Sequence, residues 1–492
     1  MSNWFNGDYW LTRLVFQRGL GIVYFIAFLC ALNQFRPLLG EHGLLPAPAF
    51  MARVSFRQSP SLFYLAPKDW AFSAAAWIGL ALSCLVIAGV ADRYSSWLNA
   101  AIWAVMWLLY ISFVNVGQTF YGFGWEAILL EAGFFAIFLG SRHVTTPLAM
   151  IYLLRWLEFR VMFGAGLIKM RGDPCWRDLT CLNYHYETQP MPNPLSWYFH
   201  IAPEWTHRAG VAFNHFSELL VPFFYFLPQP IATVGGVITI LFQLTIFLSG
   251  NLSWLNFLTM ILAIPAIDGR YLAAILPLRP EGTLAAQPLL LKVAVAACTL
   301  LLVWLSIDPV RNMFSRKQVM NTSYNPYHIG GTYGAFGGIT RQRYEVVVEG
   351  TSDALITPAT QWKEYEFRGK PNDPTRRPPQ IAPYHLRLDW LMWFAAMSDY
   401  RDYPWFVNFV AKLLEGDAAV LSLLRENAFP HHPPRYVRAT LFEYHFTTPE
   451  EHHRTGNWWT RTMTRPYFPA VSLETPGFRQ ILETQGWADS PR

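Results

Sequence analysis

Residues 147–170 read Pro-Leu-Ala-Met-Ile-Tyr-Leu-Leu-Arg-Trp-Leu-Glu-Phe-Arg-Val-Met-Phe-Gly-Ala-Gly-Leu-Ile-Lys-Met. The run is long and apolar enough to cross a bilayer as a helix, which takes about 20 residues, yet it carries Arg155, Glu158, Arg160 and Lys169. At about 100° per residue, Arg155, Glu158, Met162, Gly166 and Lys169 gather within an arc of about 80°, and Arg160 points the other way. Charges in hydrocarbon are costly and turn toward a bundle interior or a water-filled cavity. The segment therefore reads as one helix among several. Arg155 and Glu158 stand i,i+3 and can pair along the helix. Lys169 lies about 16 Å along the axis from Glu158. It needs a partner elsewhere, for which Glu126, Glu131 and Glu218 are the candidates, or it snorkels from the helix end.

Working outward, similar apolar runs occupy 14–35, 71–91, 97–116, 126–141, 209–227, 230–249, 251–267 and 288–307. The first, third and last of the whole series are the clearest; 126–141 is short and holds two carboxylates, and 251–267 also reads as re-entrant or packed inside. A polytopic α-helical membrane protein of about eight or nine transmembrane helices is expected, because only helices and closed barrels satisfy the backbone in lipid and the alternating strands of a barrel are absent. Composition agrees. Residues 1–307 hold 17 Lys/Arg and 14 Asp/Glu, and residues 308–492 hold 21 and 19, so charge doubles from about one residue in ten to about one in five. The expected organisation is a multi-pass domain over 1–307 with long loops at 36–70 and 171–208, then an extramembrane domain over 308–492. Loop charges of both signs are spread over both alternating sets, so the positive-inside rule does not set the orientation. The start of the chain, residues 1–10, lacks a basic region and a small-residue cleavage site, so the first apolar run is expected to stay as an anchor.

After Ile307 the periodicity changes. Residues 344–349 read as a strand closed by Gly350, 362–368 alternate, and 435–446 place Tyr436, Thr440, Phe442, Tyr444 and Phe446 on one face. Helical patterns cover 388–397 and 405–427, the latter broken near Gly416 and Asp417. A last helix opens at Thr475–Pro476 and stops at Gly486. The second domain is thus an α+β unit rich in antiparallel strands and large enough for its own core.

The net charge of +5 comes from scattered residues with no Lys/Arg block, which gives no support to a nucleic-acid partner. No nucleophile elbow, His-Glu-x-x-His or Walker loop occurs, and the glycine-rich stretch 330–338 lacks phosphate-loop spacing; no cofactor or metal is called for. Cys30, Cys84 and Cys298 lie in apolar runs. Cys175 and Cys181 lie in a polar stretch and are expected to form a disulfide where that side of the membrane is oxidising. Zinc is disfavoured there, since only Asp173, Asp178 and His185 stand nearby for a site needing four ligands. His215 and Glu218, i,i+3 in an apolar helix, form a second polar pair. No catalytic residue is assigned; Lys169 is the candidate base, with Arg155, Glu158, Glu131, His215 and Glu218 as candidate cavity lining, each read alternatively as a buried polar clamp.

Residues 183–200, containing Tyr-His-Tyr-Glu-Thr-Gln-Pro-Met-Pro-Asn-Pro-Leu-Ser-Trp-Tyr-Phe-His, resemble the signature loop of the lipase maturation factor family. The preceding Lys-Met-Arg-Gly-Asp-Pro-Cys-Trp-Arg-Asp-Leu-Thr-Cys is similar too, as are Thr-Tyr-Gly-Ala-Phe at 332–336, Trp-Lys-Glu-Tyr-Glu-Phe-Arg-Gly at 362–369, 376–379 and Tyr-His-Leu-Arg-Leu-Asp-Trp-Leu-Met-Trp-Phe at 384–394. The resemblance covers essentially the whole chain. It implies a multi-pass protein that helps secreted lipases fold and assemble, with its C-terminal domain in the endoplasmic-reticulum lumen in eukaryotic members. This chain is shorter than those members, which implies a bacterial homologue in the inner membrane with that domain in the periplasm. A second, shorter resemblance joins Gly-Ala-Gly-Leu-Ile-Lys-Met at 164–170 to the vitamin K-dependent carboxylase superfamily, whose catalytic lysine maps onto Lys169.

The leading expectation is an integral-membrane folding or maturation factor for exported proteins such as lipases. Its partners would be the bilayer and those clients. Trp176, Tyr186, Glu187, Pro192, Asn193, Pro194, Trp197 and His200 are the expected client-binding loop, because aromatic and proline-rich loops offer rigid apolar contact at low entropy cost. The same aromatics also suit an interfacial belt. The alternative is a membrane enzyme using Lys169 as base. Transport would call for paired repeats or broken helices, and neither is evident.

Overall fold

A computed structural model of the chain describes residues 7–487; of the leader reading made on residues 1–10, the part on residues 1–6 lies outside them. The N-terminal part is helical: α1 (Trp10–Leu39), α2 (Asp69–Ile87), α3 (Ser96–Val116), α4 (Gly124–Ala136), α5 (Leu148–Arg171), α6 (Glu204–His215), α7 (Ile231–Ser249), α8 (Leu255–Ala263) and α9 (Leu289–Leu305). Each of the nine apolar runs is helical at its centre. Among the described residues five helices are long and apolar enough to cross a membrane: α1, α2, α3, α7 and the stretch Leu289–Phe314 that contains α9. The remaining helices are shorter or more charged; α4, α5 and α8 are mostly buried, whereas α6 is largely exposed.

The C-terminal part is built on a four-stranded antiparallel sheet of β1 (Arg343–Thr351), β2 (Lys363–Glu364), β3 (Tyr436–Phe446) and β4 (Trp459–Val471), in the order β2-β1-β3-β4. Helices α10 (Arg387–Ala396), α11 (Pro404–Glu415) and α12 (Pro476–Gln485) accompany it. Gly416 and Gly486 end α11 and α12 in the left-handed conformation that glycine adopts without steric cost. Two sequence expectations change. The run 362–368 pairs with β1 only over Lys363–Glu364, because at Glu366 it turns to an isolated bridge with Glu426, where the Arg425 N–H donates to the Glu366 carbonyl at 2.8 Å. Strand β4 was not expected. It is the sheet's edge and most of Thr460–Pro466 is exposed, so no buried face imposes the period of two by which strands are read.

The two parts share one continuous core. On α1, Gln34 donates to the His385 carbonyl at 2.6 Å and accepts from the Arg387 N–H at 3.0 Å. Arg387 meets Glu126 of α4 at 2.8 Å, and its guanidinium lies 3.4 Å from the Tyr121 ring centroid. Glu126 also accepts from Tyr110. An arginine offers five donors and keeps its charge when buried, which suits a tie between a helical bundle and a sheet.

Candidate functional site

Lys169, near the end of α5, points at the helix that begins with α6. There Asn214 lies in the last turn of α6, a wider π turn covers Phe216–Leu220, and Pro222 follows. Pro222 has no N–H to give the carbonyl of Glu218, four residues back, and its ring crowds that carbonyl. The turn opens, and the Glu218 side chain reaches Lys169 Nζ at 2.5 Å. Asn214 bridges the pair: its Oδ1 accepts from Lys169 at 3.0 Å and its Nδ2 donates to Glu218 Oε2 at 3.0 Å. The close approach requires Gly166, since a Cβ there would lie 2.7 Å from Leu219 and 3.0 Å from Cβ of Glu218. The Trp176 ring closes the other side, 5.0 Å from Nζ.

This triad stands in the wall of a chamber of about 420 Å³ bounded by α4, α5, α6, α7, α8, α10 and the segments 182–186, 199–202 and 333–336. Its lining is mainly apolar, with Trp125, Met162, Phe213, Phe242 and Trp390 prominent. A second polar group on the wall joins α7 to α8: Asn256 Nδ2 donates to Gln243 Oε1 at 2.7 Å, and Gln243 Nε2 approaches the Met162 sulfur at 3.4 Å. Asn214, Gln243 and Asn256 were missed in the sequence. The legible signals were three amides in apolar helices, and for Asn214 its i,i+4 spacing to Glu218.

The other intramembrane charges separate into local clamps, except Glu158, whose carboxyl is buried with neither oxygen hydrogen-bonded. Arg155 does not pair with Glu158. Its three nitrogens are taken by the Pro265 carbonyl, the Tyr225 carbonyl and the Tyr9 hydroxyl, each at 2.9 Å, because those carbonyls follow the ends of short helices and lack helical partners. Arg160 turns to Glu131, which also accepts from the Tyr333 hydroxyl at 2.8 Å. His215 does not bond Glu218; its Nε2 meets the Trp176 carbonyl at 2.8 Å. Of the expected cavity residues, only Lys169 and Glu218 line the chamber.

The loop expected to touch clients is largely mortar. Trp176, Tyr186, Glu187, Pro192, Asn193 and Trp197 are buried, and Pro194 and His200 are half-buried. Arg343 of β1 donates to the carbonyls of Glu187, Gln189 and Pro190, Glu187 accepts from the Phe446 N–H at 2.6 Å, and Trp197 donates to the Thr447 carbonyl at 2.8 Å. The expectation of direct client contact is corrected for the six buried residues: a loop wedged between bundle and sheet must satisfy its backbone there. The large apolar side chains that the loop leaves exposed are Leu195, Tyr198, Ile201 and, at the start of α6, Trp205, at three- and four-residue spacing.

Cys175 and Cys181 form a disulfide. Opening this short loop by Cys181→Ser is expected to lower stability by about 2 kcal/mol, read as a lower thermal midpoint without loss of helicity. Arg341, 2.8 Å from Asp173, holds that carboxyl below the usual carboxylate range. Burial, with help from the Lys169 charge, pushes His185 down to about 4, and burial does the same to His328. Unfolded histidines titrate near 6.5, so on acidification the unfolded chain takes up these protons first. Stability is full above about pH 6.5 and falls as pH drops toward 4; thermal midpoints at pH 7.5 and 5.0 check the sign, and a higher midpoint at pH 5.0 would contradict it. Among the described residues no cluster of metal-ligating side chains occurs.

Comparison with known proteins gives matches along nearly the full chain. Residues 11–274 match the lipase maturation factor transmembrane domain, and residues 329–469 match the lipase maturation factor C-terminal domain. Lipase maturation factor 1 of Homo sapiens is 43% identical over 528 aligned residues, covering 98% of this chain and 91% of that protein. Lipase maturation factor 1 of Bos taurus is 43% identical, covering 95% and 90%. Lipase maturation factor 2 of Xenopus laevis is 28% identical, covering 99% and 86%. No solved structure matches.

Proposed function

The chain belongs to the lipase maturation factor family, and from that premise we propose that it is an integral-membrane maturation factor for exported lipases. The observation that carries this reading is identity of 43% sustained through both the helical part and the sheet. We place the membrane part at 1–307, with eight or nine spans once the shorter helices are counted, and the extramembrane part at 308–492 on the exported side; in a bacterial cell that is the periplasmic face of the inner membrane. The Cys175–Cys181 disulfide supports an oxidising side for the loop that abuts the sheet.

Clients, in this reading, dock on the exposed row Leu195, Tyr198, Ile201 and Trp205, with Trp205 at 71% exposure. The buried loop residues, from Trp176 to Trp197, hold that row rigid against the sheet. Arg377 completes the surface, donating to the Pro194 carbonyl at 2.8 Å and lying 5.7 Å from the Tyr198 ring. The test is co-expression with a secreted lipase, using a photo-crosslinker at Tyr198 or Trp205. Capture of the immature lipase is expected, and Tyr198→Ala with Trp205→Ala should cut both capture and secreted lipase activity several-fold at unchanged membrane abundance. Unchanged capture would assign these aromatics to an interfacial belt instead.

A further inference from the structure

Three polar atoms among the residues lining the chamber are buried without a hydrogen-bond partner: Oδ1 of Asn256 and the indole Nε1 of Trp125 and Trp390. Asn256 is 1% exposed and lines the cavity; its Nδ2 is used on Gln243, but its Oδ1 accepts from nothing. A buried acceptor without a partner costs free energy comparable to a lost hydrogen bond. Beside it, Gln243 Nε2 meets only the Met162 sulfur, a weak acceptor. The Asn256–Gln243 end of the wall therefore asks for one hydroxyl donor and offers an amide proton to a carbonyl, and the indole N–H groups of Trp125 and Trp390 are further donors without partners. The remaining charge is already balanced, because Lys169 is matched by Glu218 and Asn214. A charged headgroup would enter unpaired, and buried unpaired charge is strongly disfavoured.

The way in is lateral. Phe213 on α6 and Thr245 on α7 line the chamber and are exposed. Thr245 shares its helical face with Leu241, Leu244 and Leu248, which are 55%, 39% and 39% exposed on one of the helices apolar enough to span a membrane. That face looks onto hydrocarbon, so an entering molecule comes from the acyl region of the bilayer. The volume falls within the range of small-molecule pockets, about 300–1,000 Å³, and the apolar lining suits a chain.

We propose that this chamber binds a neutral acyl lipid bearing both a hydroxyl and an ester carbonyl, the chemistry of a monoacylglycerol, with its head at Asn256 and Gln243. This is a site separate from client docking, and it stands whether or not a lipase is the client.

The experiment uses the full chain in lipid nanodiscs with 1-palmitoylglycerol, palmitate and hexadecane as probes. The expected result is a saturable rise in thermal midpoint with 1-palmitoylglycerol, and affinities about tenfold weaker for the other two. Asn256→Leu removes the open acceptor and should bring 1-palmitoylglycerol down to the affinity of hexadecane. Ala165→Phe fills the chamber and should abolish binding of every probe. A diazirine-bearing monoacylglycerol should label the unmodified chain on α6 and α7 facing the chamber, which keeps the test decisive if either variant fails to accumulate. No saturable shift, palmitate binding as tightly as the glyceride, or labelling only of outward-facing residues would each overturn the proposal.

Discussion

Replacing Arg387 by Met will destabilise the chain by about 3–5 kcal/mol, the cost of breaking one half of a fully buried ion pair. Arg387 and Glu126 are both essentially inaccessible to solvent, 2.8 Å apart, with the Phe120 carbonyl 2.6 Å from the same nitrogen. Removing the guanidinium leaves the Glu126 carboxylate with Tyr110 alone. Because Glu126 lies on α4 and Arg387 opens α10, the loss falls on the joint between helical bundle and sheet. Thermal unfolding of the purified protein should show a midpoint lower by several degrees and, in cells, reduced membrane abundance. The companion change Glu126→Gln in the same chain should recover much of the loss, since an amide needs no countercharge. A loss under about 1 kcal/mol would mean that the pair behaves as a solvated one.

That joint also marks where the sequence was legible and where it was not. Apolar runs long enough to span a bilayer announce themselves by length alone, so the helices were readable. Strands β1 and β3 were readable too, because each buries a face against α10 and α11. Strand β4 was not, since an exposed edge carries no such pattern. Among the charges, the sequence offered Lys169 one of three carboxylates or a snorkelling place at the helix end and could go no further. Choosing among Glu126, Glu131 and Glu218 depends on which element packs beside α5, and that depends on contacts across most of the chain. Each carboxylate took a different cation: Arg387, Arg160 and Lys169 in turn. The aromatic loop misled for a related reason. Trp and Tyr suit a client surface, a membrane interface and a buried joint equally well, and only the sheet packed behind the loop separates these uses.

The Lys169–Glu218 pair gives the second large effect and distinguishes a maturation factor from an enzyme. Lys169→Met strands Glu218 in an apolar wall, and Glu218→Leu strands Lys169; each is expected to cost about 3–5 kcal/mol. The double variant leaves no charge behind and should cost far less than the sum, with a coupling energy of at least about 1 kcal/mol in a double-mutant cycle. Secreted lipase activity and membrane abundance would be measured on the same cells for all four proteins. If the pair only holds α5 against the opened turn at Phe216–Leu220, activity follows abundance, and the double variant regains both. If Lys169 is a base, the double variant regains abundance and remains inactive, because no methionine can accept a proton. The structure favours the first outcome. Glu218 and Asn214 engage Lys169 Nζ at 2.5 and 3.0 Å, and the Trp176 ring lies 5.0 Å away on the other side, the contacts of a clamp between two helices.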